Sequence, residues 1–151
     1  MFAVDTKIFI PLKRSMSIAE GIDKGQFEVW SYNMEDRRFE VRFAKVKSLG
    51  PANLTKVMIN DMPIWMSNEQ KILVQELTEL TYEKMMNVAD DTFIKALRID
   101  DEDVLSDNKL MRITKEVKTE DAYTLEADVN SNFVVVTEYS DEHHSGIIVS
   151  S

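Results

Sequence analysis

Arg38-Phe39-Glu40-Val41-Arg42-Phe43-Ala44-Lys45-Val46 decides the fold class. Phe39, Val41 and Phe43 alternate with Arg38, Glu40 and Arg42, and a period of two sorts side chains onto the two faces of a strand. After Phe43 the apolar positions become Ala44 and Val46. A shift of one residue moves the apolar set to the other face, which calls for a bulge or a strongly coiled strand.

Working outward, strand signals dominate. Thr6-Lys7-Ile8-Phe9-Ile10 is a short β run stopped by Pro11. Ser17-Ile18-Ala19-Glu20 has the form of a capping box, and Gly21 and Gly25 confine the helix it starts to about one turn. Phe27 to Tyr32 is a strand, and Asn33 to Asp36 a turn. Leu54 to Ile59 and Met62 to Met66 flank Asn60-Asp61 as a hairpin, and Lys71 to Gln75 continues the pattern. A helix is expected within Glu76 to Val88, where Leu77, Leu80 and Val88 share a helical face among residues that favour helix. Strands resume at Thr92 to Ile99, Lys109 to Lys118, Ala122 to Ala127, Asn132 to Thr137 and Gly146 to Val149. The order strand, long ladder strand, return strand occurs on both sides of the expected helix, as in a pseudo-symmetric β domain.

The 151 residues suit one domain, and 44% hydrophobic residues are enough to close one core. No apolar run of about 18 residues reads as a membrane span. Asp5 and Lys7 interrupt any apolar leader, so a cytoplasmic protein is expected. With 18 basic and 27 acidic residues the net charge is −9, which repels a phosphate backbone. Neither nucleic acid nor membrane is therefore expected as a partner. Asp100-Asp101-Glu102-Asp103 reads as a solvated turn, because adjacent side chains do not converge on one ion. Without cysteine there is no thiol catalysis, zinc-thiolate site or disulfide, and any internal nucleophile is a hydroxyl. No cofactor and no metal are called for.

Four segments in order resemble the blocks of inteins, the self-splicing domains that share the Hint fold with hedgehog-type autoprocessing domains. Asp5-Thr6-Lys7-Ile8 with Ile22 to Asn33 is similar to the first block. Ile64-Trp65-Met66-Ser67-Asn68-Glu69-Gln70-Lys71-Ile72-Leu73 is similar to the second, with Ser67 at the threonine place and Gln70 at the place of the usual histidine. Tyr123-Thr124-Leu125-Glu126-Ala127 and Asn130-Ser131-Asn132-Phe133 resemble the late blocks, and Gly146-Ile147-Ile148-Val149-Ser150-Ser151 resembles the ending. The resemblance implies an all-β Hint horseshoe with pseudo-two-fold symmetry and one main short helix. It spans residues 1–151 as a single domain without a homing endonuclease insert. It also implies protein splicing by an N–O acyl shift, transesterification and terminal asparagine cyclisation, a single-turnover reaction on the chain's own flanking segments. Cysteine-less, serine-type inteins of this kind resemble some in phage DNA polymerases. A complementary split fragment is a further possible partner, with the loop near Gly25 as the break.

The same resemblance assigns the site. Met1 stands at the place of the serine or cysteine nucleophile, Thr124 at the usual aspartate, and Ser150 and Ser151 at the penultimate histidine and terminal asparagine. In a second register Ser151 is the downstream nucleophile. These replacements imply an inactivated or precursor-like form. Gln70 cannot relay a proton as imidazole does but can donate a hydrogen bond to the scissile carbonyl, while Lys71 points to the opposite face. His143 and His144, the only histidines, are either a solvated loop or a proton carrier for one step. Two other readings stay open: a non-enzymatic all-β phage structural or binding module, and a Hint domain that cleaves without ligating. An intein requires both termini to meet, within about 10 Å of each other, beside Ser67 and Gln70.

Overall fold

The computed structural model describes residues 1–12, 14–76, 79–88, 92–98, 107–139 and 144–151. In chain order these form β1 (Lys7–Ile10), β2 (Arg14–Ser17), helix α1 (Ile18–Gly21), β3 (Phe27–Asn33), β4 (Arg38–Ile59), β5 (Met62–Met66), β6 (Lys71–Glu76), β7 (Glu79–Lys84), β8 (Thr92–Arg98), β9 (Asp107–Ala127), β10 (Asn132–Tyr139) and β11 (His144–Ser150). The strands run antiparallel in the order β2-β1-β10-β11-β8-β9-β4-β3, with β5 also on β4 and β6 joining β11 to β7. This is the all-β architecture expected. Among the described residues no helix is long and apolar enough to cross a membrane.

The expected capping box forms. Ser17 Oγ accepts from Glu20 N at 3.2 Å and the Glu20 carboxylate accepts from Ser17 N at 3.3 Å, so the short α1 has its first amides satisfied. Gly25, at φ +70°, turns the chain out of the 3-10 turn Ile22–Lys24 that follows.

β4 organises the domain. At 22 residues it would be about 70 Å long if straight, against a radius of gyration of about 15 Å for a chain of this size, so it has to coil. Its first part pairs with β3 from Asn33↔Arg38 to Phe27↔Ala44, and from Ala44 onward it pairs with β9, ending at Ile59↔Met111. The face switch at Phe43/Ala44 thus marks a change of partner, not a bulge. Phe39 and Ala44 are buried while Val41 and Phe43 are largely exposed. The bulges lie further on, between Ser48 and Gly50 and between Thr55 and Val57.

The expected helix within Glu76 to Val88 is not there. In the described part, β6 and β7 form a hairpin from Glu76↔Glu79 to Lys71↔Lys84, and only Met85–Asn87 makes a 3-10 turn. Leu80 and Tyr82 share a strand face and pack with Leu73 against Phe9, Tyr32 and Ile148, and this burial overrides the helix propensity of the Glu, Lys and Met residues. The one α-helix of the described residues is α1. Lys109 to Lys118 and Ala122 to Ala127, expected as two strands, are one strand, β9.

β10 and β11 are buried on both faces. Phe133, Val135, Ile147 and Val149 join the larger core with Phe2, Ile8, Ile18, Ile59, Met66 and Ile72, while Val134, Val136 and Ile148 face the smaller one. Strands buried on both sides read as unbroken apolar runs. Gly146 lies in this sandwich where a Cβ would come within 2.6 Å of both Val134 Cγ1 and the Val135 carbonyl. The far end of the path turns back onto β10 through one side chain. Asn132, fully buried, accepts from Tyr32 N at 2.7 Å and donates to Tyr32 O at 2.8 Å, so its carboxamide satisfies the outer edge of β3. It also accepts from Ser31 Oγ at 2.7 Å and donates to Tyr82 Oη at 2.9 Å.

Candidate active site

The site is built where the first residues enter the sheet. Phe2 donates to Tyr123 O at 2.7 Å and accepts from Tyr123 N at 2.9 Å, and it also bridges to Met66. Ala3 N donates to Trp65 O at 3.2 Å. Residues 1–3 are thereby threaded between β5 and β9, and the Phe2 ring meets Phe133 edge-on at 5.9 Å.

Beside them runs the loop Ser67–Gln70. Its ends are tied down from other elements: Met85 N donates to Gln70 O at 2.7 Å, Met86 N to Asn68 O at 3.1 Å, and Thr55 Oγ1 to Asn68 Oδ1 at 2.8 Å. Ser67 N donates to Met1 O at 3.0 Å, and its hydroxyl accepts from the Met1 amine at 3.5 Å. Met85, Asn68 and Thr55 carry no chemistry that would have marked them in the sequence; their role is to hold this loop.

Gln70, buried, is the meeting point. Its Oε1 accepts from the Met1 amine, and its Nε2 donates to the carbonyls of Ser150 and Lys71, each at 3.0 Å. The Met1 nitrogen stands in for the amide nitrogen it becomes when a residue precedes it. The donor role foreseen for Gln70 therefore falls on the carbonyl of Ser150, and toward residue 1 the side chain is an acceptor. Burial lowers the Met1 amine to about 6, since the charged form loses hydration there. Lys71 is exposed, on the face away from the site, as its place in the strand requires.

Ser151 is held on the other side, its N donating to Ser131 O at 2.9 Å and its hydroxyl accepting from Ala127 N at 3.2 Å. Met1, Thr124 and Ser151 line one open cavity of about 360 Å³ together with Lys47, Leu49 and Glu126. Lys47 Nζ sits 3.3 Å from a Glu126 carboxylate oxygen. Thr124 is buried, and its hydroxyl has no hydrogen-bond partner among the described residues.

The structure thus brings together Met1, Ser67, Gln70, Thr124, Ser150 and Ser151. It does not bring His144. That residue opens β11, pairs with Tyr139 and packs its ring against Tyr139 at 4.6 Å, six extended residues or about 20 Å from Ser150. His143 lies outside the described residues, as does the Asp100 to Asp103 run.

No protein-family model and no curated protein matches the sequence. Solved structures do. A variant of the Ssp DnaB mini-intein superposes with a TM-score of 0.77 at 16% identity, covering 99% of this chain and 93% of its own. The DnaB intein from Synechocystis sp. PCC 6803 gives 0.75 at 17% identity over 99% and 96%. The transcription factor IIB Mvu mini-intein gives 0.66 at 10% identity over the whole of both chains.

Proposed function

We propose that this chain, whose fold is that of the inteins, is a protein-splicing domain that excises itself and joins its two flanking segments. The observation that carries the reading is Gln70: one buried carboxamide holds the nitrogen of residue 1 and the carbonyl of residue 150. A domain that binds an outside partner has no need to bring its ends together in a buried site. Tethering residue 1 and the residue before position 151 to one rigid loop lowers the entropy of encounter, worth about 7–11 kcal/mol in well-oriented cases. The hydroxyl chemistry forced by the absence of cysteine needs that help, because an alcohol is a weak nucleophile at neutral pH.

On this reading residues 1–151 are one splicing domain without an endonuclease insert. Its partners are its own flanks, or a complementary fragment if the chain is split near Gly25, and its host is of the phage DNA polymerase kind. The cleavage-only alternative is disfavoured because the carbonyl of Ser150, beside the C-terminal residue, is gripped by the same side chain as the nitrogen of residue 1.

The test is expression between two marker segments, of the chain as it stands and of Met1→Ser with Ser151→Asn, followed by intact mass. A ligated marker–marker product in either form supports splicing. Release of markers without ligation in both reassigns the chain to cleavage, and two inert fusions overturn the reading. In the Met1→Ser background, Gln70→His should change N-terminal cleavage no more than about threefold, since the wild-type carboxamide works by position; a rise of about 10³, the size of a full general-acid contribution, would refute that.

A further inference from the structure

We propose that Glu40 is a positioning residue for the junction at residue 151: through Asn130 it clamps the loop 128–131, whose Ser131 carbonyl holds the Ser151 amide. This rests on the splicing reading above. The Ser150–Ser151 peptide unit is gripped at both of its polar groups. Its carbonyl accepts from Gln70 Nε2 at 3.0 Å, and its N–H donates to Ser131 O at 2.9 Å. A peptide unit is planar, so holding both groups fixes the plane from which residue 151 projects its side chain and its own carbonyl. One grip is a buried side chain on a tied-down loop. The other is a carbonyl in the loop 128–131, so that loop decides how residue 151 is aimed.

The loop is strained. Between the end of β9 and the start of β10, Val129 stands at φ +59° and Ser131 at φ +55°. The left-handed region is disfavoured for residues with a Cβ, and most for a β-branched one. Val129 is 72% exposed, so packing of its side chain does little to hold it there. The loop is held instead at two points on β4. Asp128 N donates to Phe43 O at 3.0 Å, and the Asp128 carboxylate accepts from Phe43 N at 3.2 Å. Asn130, between the two left-handed residues, donates from Nδ2 to Glu40 Oε2 at 3.1 Å and to Ser31 Oγ at 3.2 Å.

Glu40 is itself fixed. Its Oε1 accepts from Asn33 Nδ2 at 3.0 Å, and its Oε2 accepts from Arg42 Nε at 3.1 Å and from the Arg42 terminal nitrogen at 2.7 Å. Hydrogen bonds from Asn33 and Asn130, with Arg42 beside them, hold its carboxyl down to about 2, so it is ionised at neutral pH. A hydrogen bond to an ionised acceptor is roughly twice as strong as a neutral one, which suits a group that must hold a loop against its own strain. Glu40 touches no reacting atom. It acts through Asn130 and Ser131 on residue 151, whereas Met1 is held separately, by Ser67 and Gln70.

The experiment uses the full chain as Met1→Ser with Ser151→Asn, with a marker segment at each end, and times the release of each marker. Glu40→Ala should slow downstream release by about 10–100-fold, the effect of misplacing a reacting group by about an ångström, and change upstream release no more than about threefold. Asn130→Asp sets two carboxylates against each other and should do the same. Adding Glu40→Gln to it reverses the hydrogen bond, the new amide donating to the new carboxylate, and should bring downstream release back to within about threefold of the parent. Val129→Gly takes its φ without strain and should recover at least about threefold of the Glu40→Ala loss. Exchange of the Ser151 amide proton, read by NMR in the otherwise unaltered chain, should quicken at least about tenfold in Glu40→Ala and slow again in the reciprocal pair. Unchanged downstream release with an unchanged Ser151 amide overturns the assignment and leaves splicing standing. So does an equal loss at both ends that the reciprocal pair does not restore. If the parent releases neither marker the splicing reading fails, and the amide exchange alone decides whether Glu40 holds residue 151.

Discussion

Replacing Asn132 by alanine removes the carboxamide that closes the edge of β3. Its Oδ1 and Nδ2 satisfy the N–H and C=O of Tyr32 at 2.7 and 2.8 Å, and among the described residues no strand lies there to replace them. Tyr32 and Asn132 are both buried, so water does not reach these groups cheaply. Two orphaned buried backbone groups cost about 1–3 kcal/mol each, giving about 4 kcal/mol in all. With a urea dependence of about 2 kcal/mol per molar, the midpoint of equilibrium unfolding should fall by about 2 M. Ser31→Ala gives the scale: it removes one of the two donors to Oδ1 and leaves Tyr32 satisfied, so about 1 kcal/mol is expected. If Asn132→Ala moves the midpoint by less than about 0.5 M, or no more than Ser31→Ala does, the edge of β3 does not depend on this side chain and the argument fails.

Stability should also depend on pH through Met1. Burial holds its amine at about 6 in the folded chain against 8.0 ordinarily, so between these values the unfolded chain binds a proton that the folded chain refuses. Unfolding free energy should therefore fall as pH drops from about 8 to 6, by up to about 2–3 kcal/mol, and acetylation of the amine should flatten that slope in chemical denaturation at each pH. Gly146→Ala drives a Cβ to 2.6 Å from the Val135 carbonyl, which is backbone and cannot yield. About 3 kcal/mol should be lost, seen as a drop of about 6–12 °C in thermal unfolding; a drop under about 2 °C would show that β10 and β11 part without strain.

Alternation made most of the sheet legible, because a strand buried on one face must place its apolar residues at every second position. Phe27 to Tyr32, Met62 to Met66 and Asn132 to Thr137 fall within β3, β5 and β10. Residues 79–84 escaped because Leu80 and Tyr82 are too few to outweigh the helix formers around them, and the partner that decides the matter, β6, is known only from the fold. The coiling of β4 was visible as a face switch, but its cause, the handover from β3 to β9 at Ala44, involves residues some 80 positions away in β9. At the site, Gln70 and Thr124 were found by their places in the blocks. What they do was not: the Gln70 bonds to Met1 and Ser150 and the empty hydroxyl of Thr124 depend on where the two ends arrive. His144 looked close to the site because it is near the C-terminus in sequence, but an extended strand carries it away.

Residues 1 and 2 find their neighbours at residues 66, 67, 70 and 123, and the opposite wall of the cavity is made by residue 151. No partial chain can assemble that arrangement. At synthesis rates of about 5–20 residues per second, residue 1 waits about 8–30 seconds for the last of its surroundings to be made. Long-range strand pairing then adds its own delay, since contacts of such separation form late and slowly. The order of residues along the chain therefore works as a clock: the buried surroundings of residue 1 close only once the whole domain has been made.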